Sequence, residues 1–210
     1  NFLPANSVIG QAKINNRPVI IYGDDFTVRG GAADAAIHEK MVAGERFANE
    51  YRMPIIRLIE GTGGGGSVKS LEKDGYTYVP ANPAWDWVVK NMATIPVVSL
   101  GLGPVAGLGA ARLVSSHYSV IVKKMSQVFV AGPPVVNRLG ETVTKESLGG
   151  SEIHSKNGAI DDVAQNEAEA LLMAKKFLSY LPSSTYELPE KNDNKDPIDR
   201  SDKWLIGAVP

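Results

Sequence analysis

The chain has 210 residues, a formal net charge of −1, 43% hydrophobic residues and no cysteine. Such a length supports a sizeable core, and the composition is that of a globular chain rather than a disordered one. The charge balance argues against a nucleic-acid binder; the lack of cysteine excludes disulfides, thiolate metal sites and a cysteine nucleophile. No apolar run approaches a membrane span and nothing at Asn1 resembles a signal peptide. The chain starts without Met and stops at Pro210 in mid-phrase, so it reads as a piece of a longer protein.

Val8 to Ile14 and Pro18 to Tyr22 are predicted strands joined by Asn15-Asn16-Arg17, a hairpin signal. Asp24 to Gly31 leads into a long helix on which Ala33, Ile37, Met41, Gly44, Phe47 and Tyr51 recur at helical spacing, with Glu39, Lys40, Glu45 and Arg46 between them. Pro54 ends it near Met53. A strand over 54–59 feeds a glycine-rich turn, Glu60-Gly61-Thr62-Gly63-Gly64-Gly65-Gly66-Ser67, and 67–83 is a polar surface excursion. A short helix with Trp85, Val88, Val89 and Met92 on one stripe precedes a strand over 95–100. A second glycine turn, Gly101 to Gly109, then opens a small-residue helix near Ala106.

Further strands are predicted at 119–122 and 127–130, split by a wet turn at Lys123-Lys124, and a short helix at Pro133-Pro134. Thr144 to Gly150 reads as one helical turn ending on glycine. Asn166 with Glu169 resembles a capping box opening a helix whose stripe is Ala170, Leu171, Ala174, Phe177, Leu178 and Leu181. Residues 182–203 have linker composition. Strands alternating with helices indicate an α/β protein.

The two glycine turns, at the ends of what should be neighbouring strands, are the natural active-site floor. Glycine lets a ligand approach the backbone, and two sets of N–H donors can converge on one developing negative charge. A triphosphate-binding loop is rejected, because Lys69-Ser70 falls two residues late after Gly66. Gly101-Leu102-Gly103-Pro104-Val105-Ala106 matches a dinucleotide fingerprint, but Ile121-Val122-Lys123-Lys124 stands where the ribose-binding acid belongs. That reading stays as an alternative. His38, His117 and His154 share no metal-ligand spacing, and no Gly-x-Ser-x-Gly elbow occurs. Asp24, Asp25, Glu60, Asp161 and Asp162 are first read as turn-capping or solvated carboxylates, and Trp85 and Trp87 as core and rim. What is left is backbone chemistry that stabilises an oxyanion while substrate or cofactor moves the proton.

Five ordered blocks over roughly residues 8–185 carry a family resemblance. They are Asp25 to Gly31 followed by Pro54 to Glu60 with its glycine turn, Gly103-Pro104-Val105-Ala106-Gly107, Ser126 to Val136, Leu148 to Gly158, and Phe177 to Ser183. This pattern resembles the β-type carboxyltransferase of biotin-dependent acyl-CoA carboxylases, the family of the propionyl-CoA and methylcrotonyl-CoA carboxylase β subunits. The resemblance implies a crotonase-like ββα superhelix. Residues 1–185 would be the acyl-CoA-binding N-terminal domain, and 186–210 a linker toward a C-terminal carboxyltransferase half missing from this chain.

It also implies carboxyl transfer from N-carboxybiotin to the α carbon of an acyl-CoA, with the biotin ureido nitrogen taking the α-proton and the enolate attacking CO2. Biotin would come on a partner carrier or biotin carboxylase subunit, the substrate would be a CoA thioester, and no metal would be bound. The assembly would be a homo-oligomer, often a hexamer, in a mitochondrial matrix or bacterial cytoplasm, with no nucleic acid or membrane partner.

Carried over by position, Gly107 and Leu108 match the oxyanion N–H pair at a helix N-terminus, and Gly63 and Gly64 line the thioester pocket. Gly30, Gly31, Gly65, Gly66, Ala106, Gly149 and Gly150 fall at acyl-CoA-binding positions. The sequence departs from the family in having Leu108 where a second glycine is usual and in its extended first turn. A decarboxylase or transcarboxylase subunit shares these motifs, and a non-catalytic assembly or CoA-binding fragment stands as the alternative from another class.

Overall fold

The computed structural model describes residues 5–31, 38–61, 72, 75, 84–190 and 195–208. The first hairpin pairs β1 (Ser7–Ile14) with β2 (Arg17–Asp24) antiparallel, in unbroken register from Ser7–Asp24 to Ile14–Arg17. Its loop is the two residues Asn15 and Asn16, both at positive φ, the backbone twist that a tight hairpin needs. From there the described sheet is parallel. β3 (Ile55–Gly61) lies beside β2, β4 (Val97–Ala106) beside β3, β5 (Tyr118–Val122) beside β4 and β7 (Asp162–Ala164) beside β5. β6 (Gln127–Phe129) pairs with the far end of β4, completing seven strands.

Alternation along the buried strands sends side chains to opposite faces. Ile56, Val98, Leu100 and Val120 meet Ala170, Ala174 and Leu178 of α7 (Glu167–Ser179). On the other face Ile20, Tyr22, Ile55 and Val97 meet Met41 and Ala48 of α1 (His38–Glu50). A third cluster joins Ile59 and Val105 to Leu113 of α3 (Leu108–Val114). The helix α2 (Trp85–Met92) packs beside α1, while α4 (Pro133–Val136), α5 (Lys145–Gly149) and α6 (Ser151–His154) follow β6. Arg17, at the hairpin, donates to the Leu178 and Leu181 carbonyls at 2.6 and 2.5 Å and so ties the first strands to the end of the last helix.

Several expectations shift. The second glycine segment is a strand rather than a turn: β4 runs on through Gly101 to Ala106. Its register against β3 slips between the pairs Ile59–Gly101 and Gly61–Val105, so Glu60 faces extra residues of β4. Pro104, which has no N–H to offer, sits in this irregular stretch. The helix consequently begins at Leu108 instead of near Ala106. A dinucleotide fingerprint needs its glycines in the strand-to-helix turn, so that alternative fails.

On α1, Glu45 is fully buried while Phe47 is exposed, as is Tyr51 just after its end; on α2, Asn91 is buried and Val89 exposed. Gly150, after α5, is extended rather than left-handed, and the α5 cap is a Thr144–Ser147 box that the sequence reading missed. Asn166 does accept from the Glu169 N–H, but the Glu169 carboxylate returns to the Gln165 N–H. β7 was also missed. At the start of the linker, Ser184 is buried and the Thr185 N–H bonds the Thr94 carbonyl at 2.9 Å. Among the described residues no helix is long and apolar enough to cross a membrane.

Candidate active site

The site is built where β3 and β4 end and α3 begins. β4 closes on Ala106, paired with Phe129 of β6, and Gly107 turns the chain into α3 at φ 57 and ψ −119. Only glycine adopts such a conformation without strain. The Gly107 N–H donates to the Phe129 carbonyl at 3.1 Å, and the Gly107 carbonyl accepts from the Ala111 N–H at 3.0 Å.

Of the expected donor pair, Gly107 and Leu108, the Gly107 N–H is engaged with β6. The N–H groups of Leu108, Gly109 and Ala110 form the first turn of α3, where a helix has no acceptor of its own to offer. Leu108 directs its side chain against the cluster of Ile20, Tyr22 and Ile55, so the bulk that replaces the family glycine is taken up by the core. A Cβ on Gly109 would lie 3.1 Å from Val105 and 3.9 Å from the Gly61 carbonyl, which brings this turn close to the end of β3.

The end of β3 is itself held by glycine against glycine. A Cβ on Gly31 (φ 66) would come within 2.5 Å of the Glu60 carbonyl oxygen, and one on Gly61 within 2.6 Å of the Gly31 carbonyl oxygen. Gly30, at φ 64, continues this left-handed approach. Gly31 thus has a packing reason to be glycine. Gly63, Gly64, Gly65 and Gly66 lie outside the described residues.

Glu60 fills the irregularity of β4, its carboxylate occupying the space that a side chain on Gly103 would need. Burial, with the negative charges of Glu167, Asp24 and Asp25, pushes the Glu60 carboxyl above its ordinary range. Gly149 and Gly150 sit one element away. A Cβ on Gly149 would strike the Val128 carbonyl, and one on Gly150 the Glu146 side chain, so α5 can lie flat on β6 beside Ala106.

Beneath these turns runs a buried charged network that the sequence reading did not find. Arg57 of β3 meets Glu45 of α1 in a two-pronged pair, Nε to Oε1 at 2.7 Å and Nη2 to Oε2 at 2.9 Å, both side chains fully buried. Asn91 of α2 donates to both the Glu45 carbonyl and Oε2 at 2.9 Å. Burial raises the Glu45 carboxyl, but the Arg57 guanidinium, helped by Arg112 and the Asn91 hydrogen bond, holds the group below its ordinary value. The third arm of Arg57, Nη1, donates to the carbonyls of Arg112 (3.2 Å) and Ser115 (2.7 Å) at the end of α3.

Arg112 in turn stacks 4.2 Å over the Tyr22 ring and reaches Asp24 at 3.4 Å. The other Asp24 oxygen accepts from the Glu60 N–H at 3.3 Å. Desolvation pushes Asp24 upward, with Arg112 opposing it. The sequence signal that existed was Arg57 inside an otherwise apolar strand, with Glu45 on the helix before it. The remaining carboxylates are structural: Asp161 accepts from Ser119, Asp162 from Tyr118 and Asp25 from Thr27.

Residues 3–210 match the model of the family described as carboxyl transferase domain. The chain belongs to the carboxyl transferase domain family. It is 31% identical over 217 residues to the mitochondrial propionyl-CoA carboxylase beta chain of Homo sapiens, covering 100% of this chain and 39% of that protein. It is likewise 31% identical over 213 residues to the methylmalonyl-CoA decarboxylase subunit alpha of Veillonella parvula, covering 99% of this chain and 40% of that one. The transcarboxylase 12S structure with methylmalonyl-coenzyme A and methylmalonic acid bound superposes with a TM-score of 0.78 at 30% identity, covering 91% of this chain and 37% of that one. The mixed α/β architecture is therefore the crotonase-like fold of the carboxyl transferases. The chain spans about two fifths of the length of these relatives.

Proposed function

We propose that this chain is the acyl-CoA-binding part of a carboxyltransferase that moves a carboxyl group between biotin and the α carbon of a CoA thioester. The observation that carries the reading is the first turn of α3, where Gly109 packs against Ile59 and Val105 near the Gly61 carbonyl at the end of β3. Removing an α-hydrogen or an α-carboxylate from a thioester leaves an enolate, whose oxygen needs preorganised donors. The Leu108 and Gly109 N–H groups, with the positive end of the helix dipole, supply them.

In this reading Leu108 and Gly109 hold the oxyanion, and Gly63 and Gly64 are assigned to the thioester pocket. Gly30, Gly31, Gly65, Gly66, Ala106, Gly149 and Gly150 border the acyl-CoA. Gly107 shapes the turn instead of donating. No described residue is assigned to biotin in this reading. Biotin, brought by a partner subunit, supplies or receives the carboxyl group. Residues 1–185 form the binding domain and 186–210 the segment leading from it. The working enzyme is an oligomer in which a second carboxyltransferase half closes the site. A decarboxylase or transcarboxylase would use the same enolate, and the Veillonella relative supports keeping that chemistry within the reading.

Calorimetric titration of the full-length protein with CoA, a short acyl-CoA and NAD tests this. Binding of the CoA compounds alone is expected. NAD binding without CoA binding, or no binding of any acyl-CoA, overturns it.

A further inference from the structure

We propose that Arg57 and Arg112 are positioning residues for carboxyl transfer, reciprocal ties that fix the donor helix α3 to β3. The proposal rests on the functional reading above. α3 has only seven residues, too short to hold itself in place, and it carries the oxyanion donors at one end. Arg57 reaches from β3 to the other end, where its Nη1 collects the Arg112 and Ser115 carbonyls. Its orientation is fixed by Glu45, and Glu45 by Asn91, so the arm cannot swing without breaking a fully buried pair. Arg112 reaches back from α3 to Asp24, whose second oxygen takes the Glu60 N–H at the end of β3.

Arg57 therefore runs from β3 directly to α3, and Arg112 runs from α3 back to β3 through Asp24 of β2. The span between the α3 donors and the Glu60–Gly61 backbone is set by two guanidinium groups. Stability alone does not explain the arrangement, since buried ion pairs are often replaceable by apolar side chains of similar volume without loss. A displacement of about 1 Å, in contrast, can cost on the order of 100-fold in rate.

The test uses the full-length protein with a panel of acetyl-CoA, propionyl-CoA and 3-methylcrotonyl-CoA for affinity. Carboxyl transfer from the matching carboxylated thioester to free biotin gives kcat and KM. The double variant Glu45→Met with Arg57→Met keeps the volume and removes both charges. It is expected to fold, to bind acyl-CoA within about twofold of wild type, and to lose kcat by about 10- to 100-fold. If it does not fold, Arg112→Met and Arg112→Lys carry the test: the first is expected to lose kcat at unchanged affinity, and the second to recover it to within about threefold. Unchanged kcat in a folded double variant overturns the proposal, as does loss of kcat and affinity in equal proportion. If the wild type binds none of the thioesters, the functional reading fails and the positioning role falls with it.

Discussion

The Gly107 N–H donates to the Phe129 carbonyl at 3.1 Å, so the residue that best matches a family oxyanion donor is spent on joining β4 to β6. In the proposed reading the donor role passes to the next N–H groups, and Gly107 is the residue that aims them. Its φ of 57 and ψ of −119 give a direct expectation. Gly107→Ala should lose about 1–3 kcal/mol of unfolding free energy by urea denaturation. Loss of acyl-CoA affinity should accompany it, because α3 then starts in a different direction. Unchanged stability contradicts the assigned backbone.

Gly31 and Gly61 face each other backbone to backbone, and each leaves no room for a methyl group on its partner. Gly61→Ala should lose about 1–3 kcal/mol by overpacking, and Gly31→Ala more, since positive φ adds strain. Gly10→Ala, where nothing lies within 4 Å, should stay within about 0.5 kcal/mol. Thermal unfolding of the three variants gives the ranking, and equal effects at all three sites refute the close approach.

Glu45 ionises more readily in the folded protein than its ordinary value of 4.5 would allow. A carboxyl with a depressed folded value stabilises the fold above its unfolded value. That contribution is lost as pH falls through the folded one. Glu45→Gln should cost about 3–5 kcal/mol near neutral pH, because it leaves the buried Arg57 charge uncompensated. The gap in melting temperature between wild type and variant should narrow as pH drops below 4.5. A constant gap from neutral pH into that range tells against an ionised buried pair.

Thr144 accepts the Ser147 N–H at 3.1 Å while the Ser147 hydroxyl accepts the Thr144 N–H at 3.0 Å. Thr144→Ala should remove about 1 kcal/mol and loosen α5 over β6. Hydrogen exchange of the Leu148 and Gly149 amides reads this locally, and exchange as slow as in wild type rules out the cap.

Much of the fold was legible because hydrophobic periodicity and turn residues act locally. The first hairpin, α1, β3, α2, β5, β6 and the last helix all stand within a few residues of their predicted places. The extension of β4 was not legible, because a strand containing Gly101, Gly103 and Pro104 has turn chemistry. It is a strand only because β3 and β6 pair with it. The short β7 has no pattern of its own and exists by pairing with β5.

At the site, glycine spacing pointed to the corner where β4 runs into α3, but not to the bond that engages the Gly107 N–H. Whether Gly107 or Leu108 offers its N–H depends on Phe129, more than twenty positions away. Charge burial was hidden for a similar reason. Glu45 looks like a solvated helix residue until Arg57 and Asn91 are known to face it.

The link from Arg17 to the Leu178 and Leu181 carbonyls joins positions 161 and 164 apart in the chain. Contacts of such separation come late in folding, since the entropy of closing a long loop must be overcome before they stabilise anything. During synthesis the first hairpin emerges long before the helix that will cap its turn. Until α7 leaves the ribosome, the face of β2 to β5 that packs on Ala170, Ala174 and Leu178 lacks that cover. That interval is when this chain is most exposed to aggregation, and chaperone dependence in vivo should fall on it.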